Sequence, residues 1–168
     1  MVVLKPAISG GVNWPPSSYD PATGYLYVCA QDRLGQFRAE AIDDSRPPPG
    51  ELYAAGMFGG SPLPAVGVFA AKDMGTKTIA WRQNWPETCY SGSVTTAGGF
   101  VLVGRSDGRL TALDTRDGAM LWQFQTASGI IGQPISYRGR DGKQYIAMFD
   151  GVGGWSGAVV SGDLVSED

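Results

Sequence analysis

The stretch Gly108-Arg109-Leu110-Thr111-Ala112-Leu113-Asp114-Thr115-Arg116-Asp117-Gly118-Ala119-Met120-Leu121-Trp122 decides the reading of the fold. An apolar segment runs into an Asp and Gly turn, and a second segment begins near Ala119 and ends on a tryptophan, which is the pattern of a β-hairpin. The same pattern stands 41 positions earlier: Gly67, Phe69, Ala71, Asp73 and Trp81 recur as Gly108, Leu110, Ala112, Asp114 and Trp122. In each copy an aspartate ends the first strand, where its carboxylate can accept backbone N–H bonds of the turn. The tryptophan supplies a large flat apolar surface for packing on a neighbouring sheet. A strand-built period of about 40 residues fits a propeller blade of four strands, one of several stacked around an axis. The expected fold is all-β, a partial β-propeller of about three four-stranded blades.

Working outward, 25 glycines, 11 prolines and five tryptophans in 168 residues suit short strands and tight turns better than helices. Three apolar runs follow glycine-containing turns: Tyr25 to Cys29, Phe100 to Val103 and Gln144 to Met148. Each reads as a buried strand of about five residues. From Ile42 to Pro64 the rhythm breaks, with Arg46-Pro47-Pro48-Pro49-Gly50 and Gly59-Gly60-Ser61-Pro62. This marks a loop-rich excursion at about 42–65 rather than a ladder strand. The acidic, aperiodic stretch 161–168 reads as a frayed tail, and 1–168 as a single propeller domain.

Thirteen basic and 16 acidic residues are scattered, giving a net charge of −3 and no basic face, so nucleic acid is not an expected partner. No apolar run approaches the ~20 residues that span a bilayer, and Met1-Val2-Val3-Leu4-Lys5-Pro6 has neither the charged region nor the core of a signal peptide. The sequence has no histidine, which excludes imidazole as a base, a metal ligand or a haem ligand. Cys29 and Cys89 form no zinc or redox spacing. They read first as small buried hydrophobes. A disulfide between them requires an oxidising compartment and Cα atoms within about 7 Å. Asp107-Gly108, Asp117-Gly118 and Asp141-Gly142 read as turn pairs, so no two carboxylates stand out as an acid and a base.

Ala112-x-Asp114-x-x-Asp117-Gly118-x-x-x-Trp122 resembles the tryptophan-docking motif of the quinoprotein dehydrogenases, with Asp117 in place of the usual threonine. Ala71-x-Asp73-x-x-Thr76-Lys77-x-x-x-Trp81 is a second copy, with Lys77 in place of the glycine. These motifs alone also suit a non-catalytic propeller scaffold of the same superfamily. Three further segments are similar to the pyrroloquinoline-quinone (PQQ)-dependent alcohol and methanol dehydrogenases specifically: Gly10 to Tyr19, Thr95 to Gly104, and a closing portion made of Ser128 to Pro134, Gly142 to Tyr145 and Gly151-Val152-Gly153-Gly154-Trp155. Together the resemblance covers roughly residues 8–158 and points to the C-terminal portion of such an enzyme, whose full propeller has about eight blades.

The resemblance implies that Asn13 hydrogen-bonds the polar edge of PQQ from a loop held by Gly10-Gly11 and Pro15-Pro16, the alternative being an asparagine that caps its own turn. Tyr90 stands where methanol dehydrogenases carry a cofactor-facing tryptophan, either as an aromatic wall with a hydroxyl or as core packing. Trp155 takes the place of another cofactor-neighbouring tryptophan, and Gly153-Gly154 before it would let the backbone approach a planar ligand. The Gly151 run lacks the following helix that a phosphate loop requires.

In the family, calcium or a lanthanide holds the quinone, an aspartate takes the alcohol proton, and electrons pass to a cytochrome c in the periplasm. The metal ligands and the base come from earlier blades, so the resemblance implies no catalytic or metal-binding residue in this chain. One rim of the site should not turn over alone. A propeller closes with roughly 4–8 blades. An unclosed set would expose apolar faces and depend on missing blades or a complementary fragment.

Overall fold

The computed structural model of the chain describes residues 1–39, 49–50, 56–60 and 65–153. Among them are thirteen strands and no helix. Strands β2 (Ser18–Asp20), β3 (Tyr25–Asp32), β6 (Val66–Asp73) and β7 (Ile79–Trp85) form one antiparallel four-stranded sheet in the order β2-β3-β6-β7. Strands β8 (Ser93–Thr95), β9 (Phe100–Gly104), β10 (Arg109–Asp114) and β11 (Met120–Gln125) form a second in the order β8-β9-β10-β11. A hairpin of β12 (Ile135–Arg138) and β13 (Gln144–Ala147) begins a third. This is the partial propeller that the repeat predicts, with two of its blades complete among the described residues.

The repeat is exact at the level of the hairpin turn. The register of β6 and β7 shifts between Ala71 and Lys72, and that of β10 and β11 between Ala112 and Leu113, 41 positions on. Lys77 N donates to Asp73 O at 2.8 Å, and Gly118 N to Asp114 O at 3.0 Å. Asp73 Oδ1 accepts the Gly75 amide at 2.8 Å, and Asp114 Oδ1 the Arg116 amide at 2.8 Å. The carboxylates thus cap their turns as their position implied. Strand β11 continues to Gln125, three residues beyond the tryptophan.

The paired glycines Gly67 and Gly108 show how one sheet hands the chain to the next. A Cβ on Gly67 would lie 2.1 Å from Glu87 O, and a Cβ on Gly108 would lie 2.7 Å from Ser128 O, again 41 positions on. After its last strand the chain crosses back over this glycine, at a distance that no side chain allows, to reach the first strand of the following sheet.

Packing follows strand alternation. On β9, Val101 and Val103 join Leu113, Tyr27, Phe69, Trp81 and Trp85 in the core between the two complete sheets. Leu102, with Leu110 and Ala112, turns the other way to Ile130, ahead of the third sheet. Trp81 performs the expected docking: its ring lies on Gly118, where an added Cβ would be 2.6 Å away, and its Nε1 donates to Thr115 O at 3.1 Å. Trp122 does not dock among the described residues. It is 51% exposed and stacks with Phe124 at 6.1 Å.

Three sequence expectations are corrected. Cys29 and Cys89 are paired in a disulfide with Cα atoms 5.4 Å apart, rather than being two separate small hydrophobes. Segment 87–89 passes tightly over Gly67, which brings Cys89 to β3. Gly56–Gly60 is a ladder strand, β5, beside β4 (Gly35–Ala39), which also pairs with β1 (Val2–Leu4). Backbone pairing with β4 makes a strand of a glycine-rich segment that strand propensity disfavours. The rest of the 42–65 excursion lies outside the described residues except Gly50 and its neighbour Pro49, and Ala65; the 161–168 tail lies wholly outside. Gln144–Ala147 is a strand but an exposed one, and among the described residues it pairs with β12 alone.

Candidate functional site

In both complete sheets, the loops leading into the first strand emerge at the end opposite the capped hairpin turns. Residues 10–17 lead into β2, 86–92 into β8 and 126–134 into β12. Backbone and side-chain bonds tie these loops together. Ser93 N donates to Pro16 O at 3.2 Å, and Ser91 Oγ donates to Gly132 O at 2.7 Å. Gly92 sits where all three meet: a Cβ there would be 2.9 Å from Gln133 and 3.0 Å from Pro16.

On this junction Asn13 and Tyr90 come close through Trp14, whose Nε1 donates to Tyr90 Oη at 3.1 Å and whose ring meets the tyrosine edge-on at 6.1 Å. Asn13 holds its own turn, its Nδ2 donating to Ser9 O at 3.0 Å and its Oδ1 accepting the Trp14 amide at 2.8 Å. The capping geometry is therefore present. It leaves the amide one hydrogen and a lone pair, while Tyr90 keeps its hydroxyl hydrogen. Trp155 lies outside the described residues, as does Gly154; Gly153 is described and has open space about its Cα.

The loop that carries Tyr90 is tied down by two features that the sequence reading missed. The Cys29–Cys89 disulfide pins the residue before Tyr90 to β3, and the Ser91 amide lies 3.3 Å from Cys29 Sγ. At the start of the same loop, the Arg105 guanidinium pairs with Glu87 and, at 3.1 Å, with Asp107, and lies 4.8 Å over the Trp85 ring. The Arg105 and Glu87 side chains are only 11% and 9% exposed, and Asp107 also pairs with Arg109. Such a pair orders its segment more than it stabilises the fold, since desolvation offsets much of the attraction. Glu87 follows the end of β7 and Arg105 the end of β9, in different sheets, and spacing alone does not connect them.

The turn aspartates behave as expected: Asp107, Asp117 and Asp141 accept the amides of Arg109, Ala119 and Lys143. Among the described residues no three of His, Cys, Asp and Glu converge in a metal-binding arrangement. Asn13, Trp14 and Tyr90 include no carboxylate, imidazole or amine. What they offer is hydrogen-bonding capacity beside an aromatic edge.

A family profile described as the glucose/ethanol/alcohol dehydrogenase β-propeller domain, named for PQQ, matches residues 40–146. The chain belongs to this PQQ propeller family. Among its relatives is a lanthanide-dependent methanol dehydrogenase of Methylacidiphilum fumariolicum, 34% identical across 98% of this chain and 27% of the relative. Another is a quinone-dependent 1-butanol dehydrogenase of Thauera butanivorans, 34% identical across 93% of this chain and 25% of the relative. The quinohemoprotein alcohol dehydrogenase of Comamonas testosteroni superposes with a TM-score of 0.78 at 28% identity, over 89% of this chain and 24% of that one. The chain thus spans about a quarter of the length of the PQQ dehydrogenases it matches.

Proposed function

We propose that this chain supplies one wall of a PQQ site, through Asn13, Tyr90 and Trp155, in a periplasmic quinoprotein dehydrogenase that oxidises alcohols and passes the electrons to a cytochrome c. The observation that carries this reading is the meeting of Asn13 and Tyr90, 77 positions apart, at one rim through the Trp14–Tyr90 bond. The residues fit the quinone in kind: an amide with spare donor and acceptor capacity, a phenol with a free hydrogen, and a 62% exposed indole beside them. The bound quinone would supply the two-electron acceptor. The chain's own residues would orient its edge and exclude water from it. Calcium or a lanthanide would be held by residues of other blades, and sugars or polyols are further substrates compatible with the family. The Cys29–Cys89 disulfide accords with an oxidising compartment.

The test is a titration of the purified chain with PQQ in the presence of calcium, followed by tryptophan fluorescence and the quinone spectrum. Saturable quenching that Tyr90→Ala or Asn13→Ala weakens at least about tenfold, without alcohol oxidation by the chain alone, is the expected result. No spectral change at high quinone, or equal binding by the variants, overturns the reading.

A further inference from the structure

The two docking turns of this chain are alike in backbone and opposite in what they accept. At the second turn, Gly118 has φ +73° and leaves the space that the Trp81 ring fills. The first turn has the same hydrogen bonds, the same bulge and the same positive φ, +62°, but the residue there is Lys77. Its Cβ occupies the place that at Gly118 would lie 2.6 Å from the Trp81 ring. A tryptophan therefore cannot seat on the first turn as Trp81 seats on the second. Meanwhile Trp122, placed by the repeat as Trp81 is, stands 51% exposed beside Phe124 at 55% and Met120 at 64%.

These facts bear on how copies of the chain could meet. The exposed Trp122 of one copy and the first turn of another would form a head-to-tail contact continuing the Trp81–Gly118 seam, with Met74 O in the place of Thr115 O. An interface of that kind leads to rings or open filaments, because it leaves a donor and an acceptor free at each step. We infer that Lys77 blocks this stacking, so that the Trp122 face selects a hairpin turn with glycine at the docking position and rejects a second copy of this chain. A lysine tolerated at positive φ, where a side chain costs about 1–2 kcal/mol, gives the position a role that the turn itself does not require. The inference rests on the fold and is independent of the quinone.

The test compares the wild-type chain with Lys77→Gly and Lys77→Ala by sedimentation velocity over a range of concentrations. Lys77→Gly should self-associate at least about tenfold more tightly than wild type, and adding Trp122→Ala to it should remove the gain. Lys77→Ala, which loses the ammonium and keeps the Cβ, should behave as wild type. Equal behaviour of the glycine and alanine variants, or a gain that survives Trp122→Ala, overturns the inference. Circular dichroism of the four chains checks that they are equally folded, as expected for an exposed turn.

Discussion

Tyr27 and Trp81 donate to the same oxygen, the carbonyl of Thr115, at 2.8 and 3.1 Å. They come from β3 and β7 of one sheet and grip the hairpin turn of the next, within a core that also holds Phe69 and Val103. Two donors for one buried acceptor mean that either can be lost while the carbonyl stays paired. Burial, with Asp20 adding to it, raises the Tyr27 phenol above its ordinary range against the pull of its hydrogen bonds, so it remains a donor at neutral pH.

Removing the donors one at a time and together should expose this redundancy. Tyr27→Phe should cost about 0.5–1.5 kcal/mol. The double variant Tyr27→Phe with Trp81→Phe should cost more than the sum of the singles by about 1 kcal/mol, because only there is the Thr115 carbonyl buried without a partner. Urea unfolding of the four chains measures the coupling. Strict additivity would mean that the two bonds are independent.

Gly118 and Gly99 separate crowding from backbone strain. Both have positive φ, +73° and +79°, but a Cβ on Gly99 meets nothing within 4 Å while one on Gly118 strikes the Trp81 ring. Gly99→Ala should cost about 1–2 kcal/mol from conformation alone. Gly118→Ala should cost a further 1–3 kcal/mol, roughly that of overpacking, and should shift tryptophan emission to the red as Trp81 leaves its seat. Thermal melts with fluorescence detection check both.

Asp73 gives a pH signature. The Thr76 and Gly75 amides hold its carboxyl below the usual range. A depressed folded value contributes stability that is present above the unfolded value, about 3.9, and is lost as pH falls through the folded one. Asp73→Asn should therefore melt below wild type from neutral pH down to about 5, and the gap should close below about 4. A gap unchanged at pH 3 would assign the turn's stability to something other than the carboxylate.

What the sequence reveals and what it conceals divides along the range of the interactions. The Asp73 and Asp114 hairpins are legible because a turn, its cap and its bulge are settled within a dozen residues. The meeting of Trp14 and Tyr90, the Cys29–Cys89 pairing and the Arg105–Glu87 pair depend on how the chain crosses Gly67 between sheets, and no local pattern encodes that. Gly56–Gly60 misleads in the other direction: its composition says loop, and only its partners in β4 make it a strand. The candidate site was read by likeness at Asn13 and Tyr90, and the ties that hold the Tyr90 loop came only with the fold.

The disulfide also has a mechanical meaning. Cys29 lies in one sheet and Cys89 at the entry to the next, so the link spans the seam rather than a single sheet. Under tension applied at the ends of the chain, residues 30–88, on the order of 200 Å of extended backbone, would carry no load until the link was reduced. The force would pass through the Cys29–Cys89 link to Tyr90 and the rim beside it, and β6 and β7 would be shielded within the slack loop, while β2 and the start of β3 would stay in the loaded path.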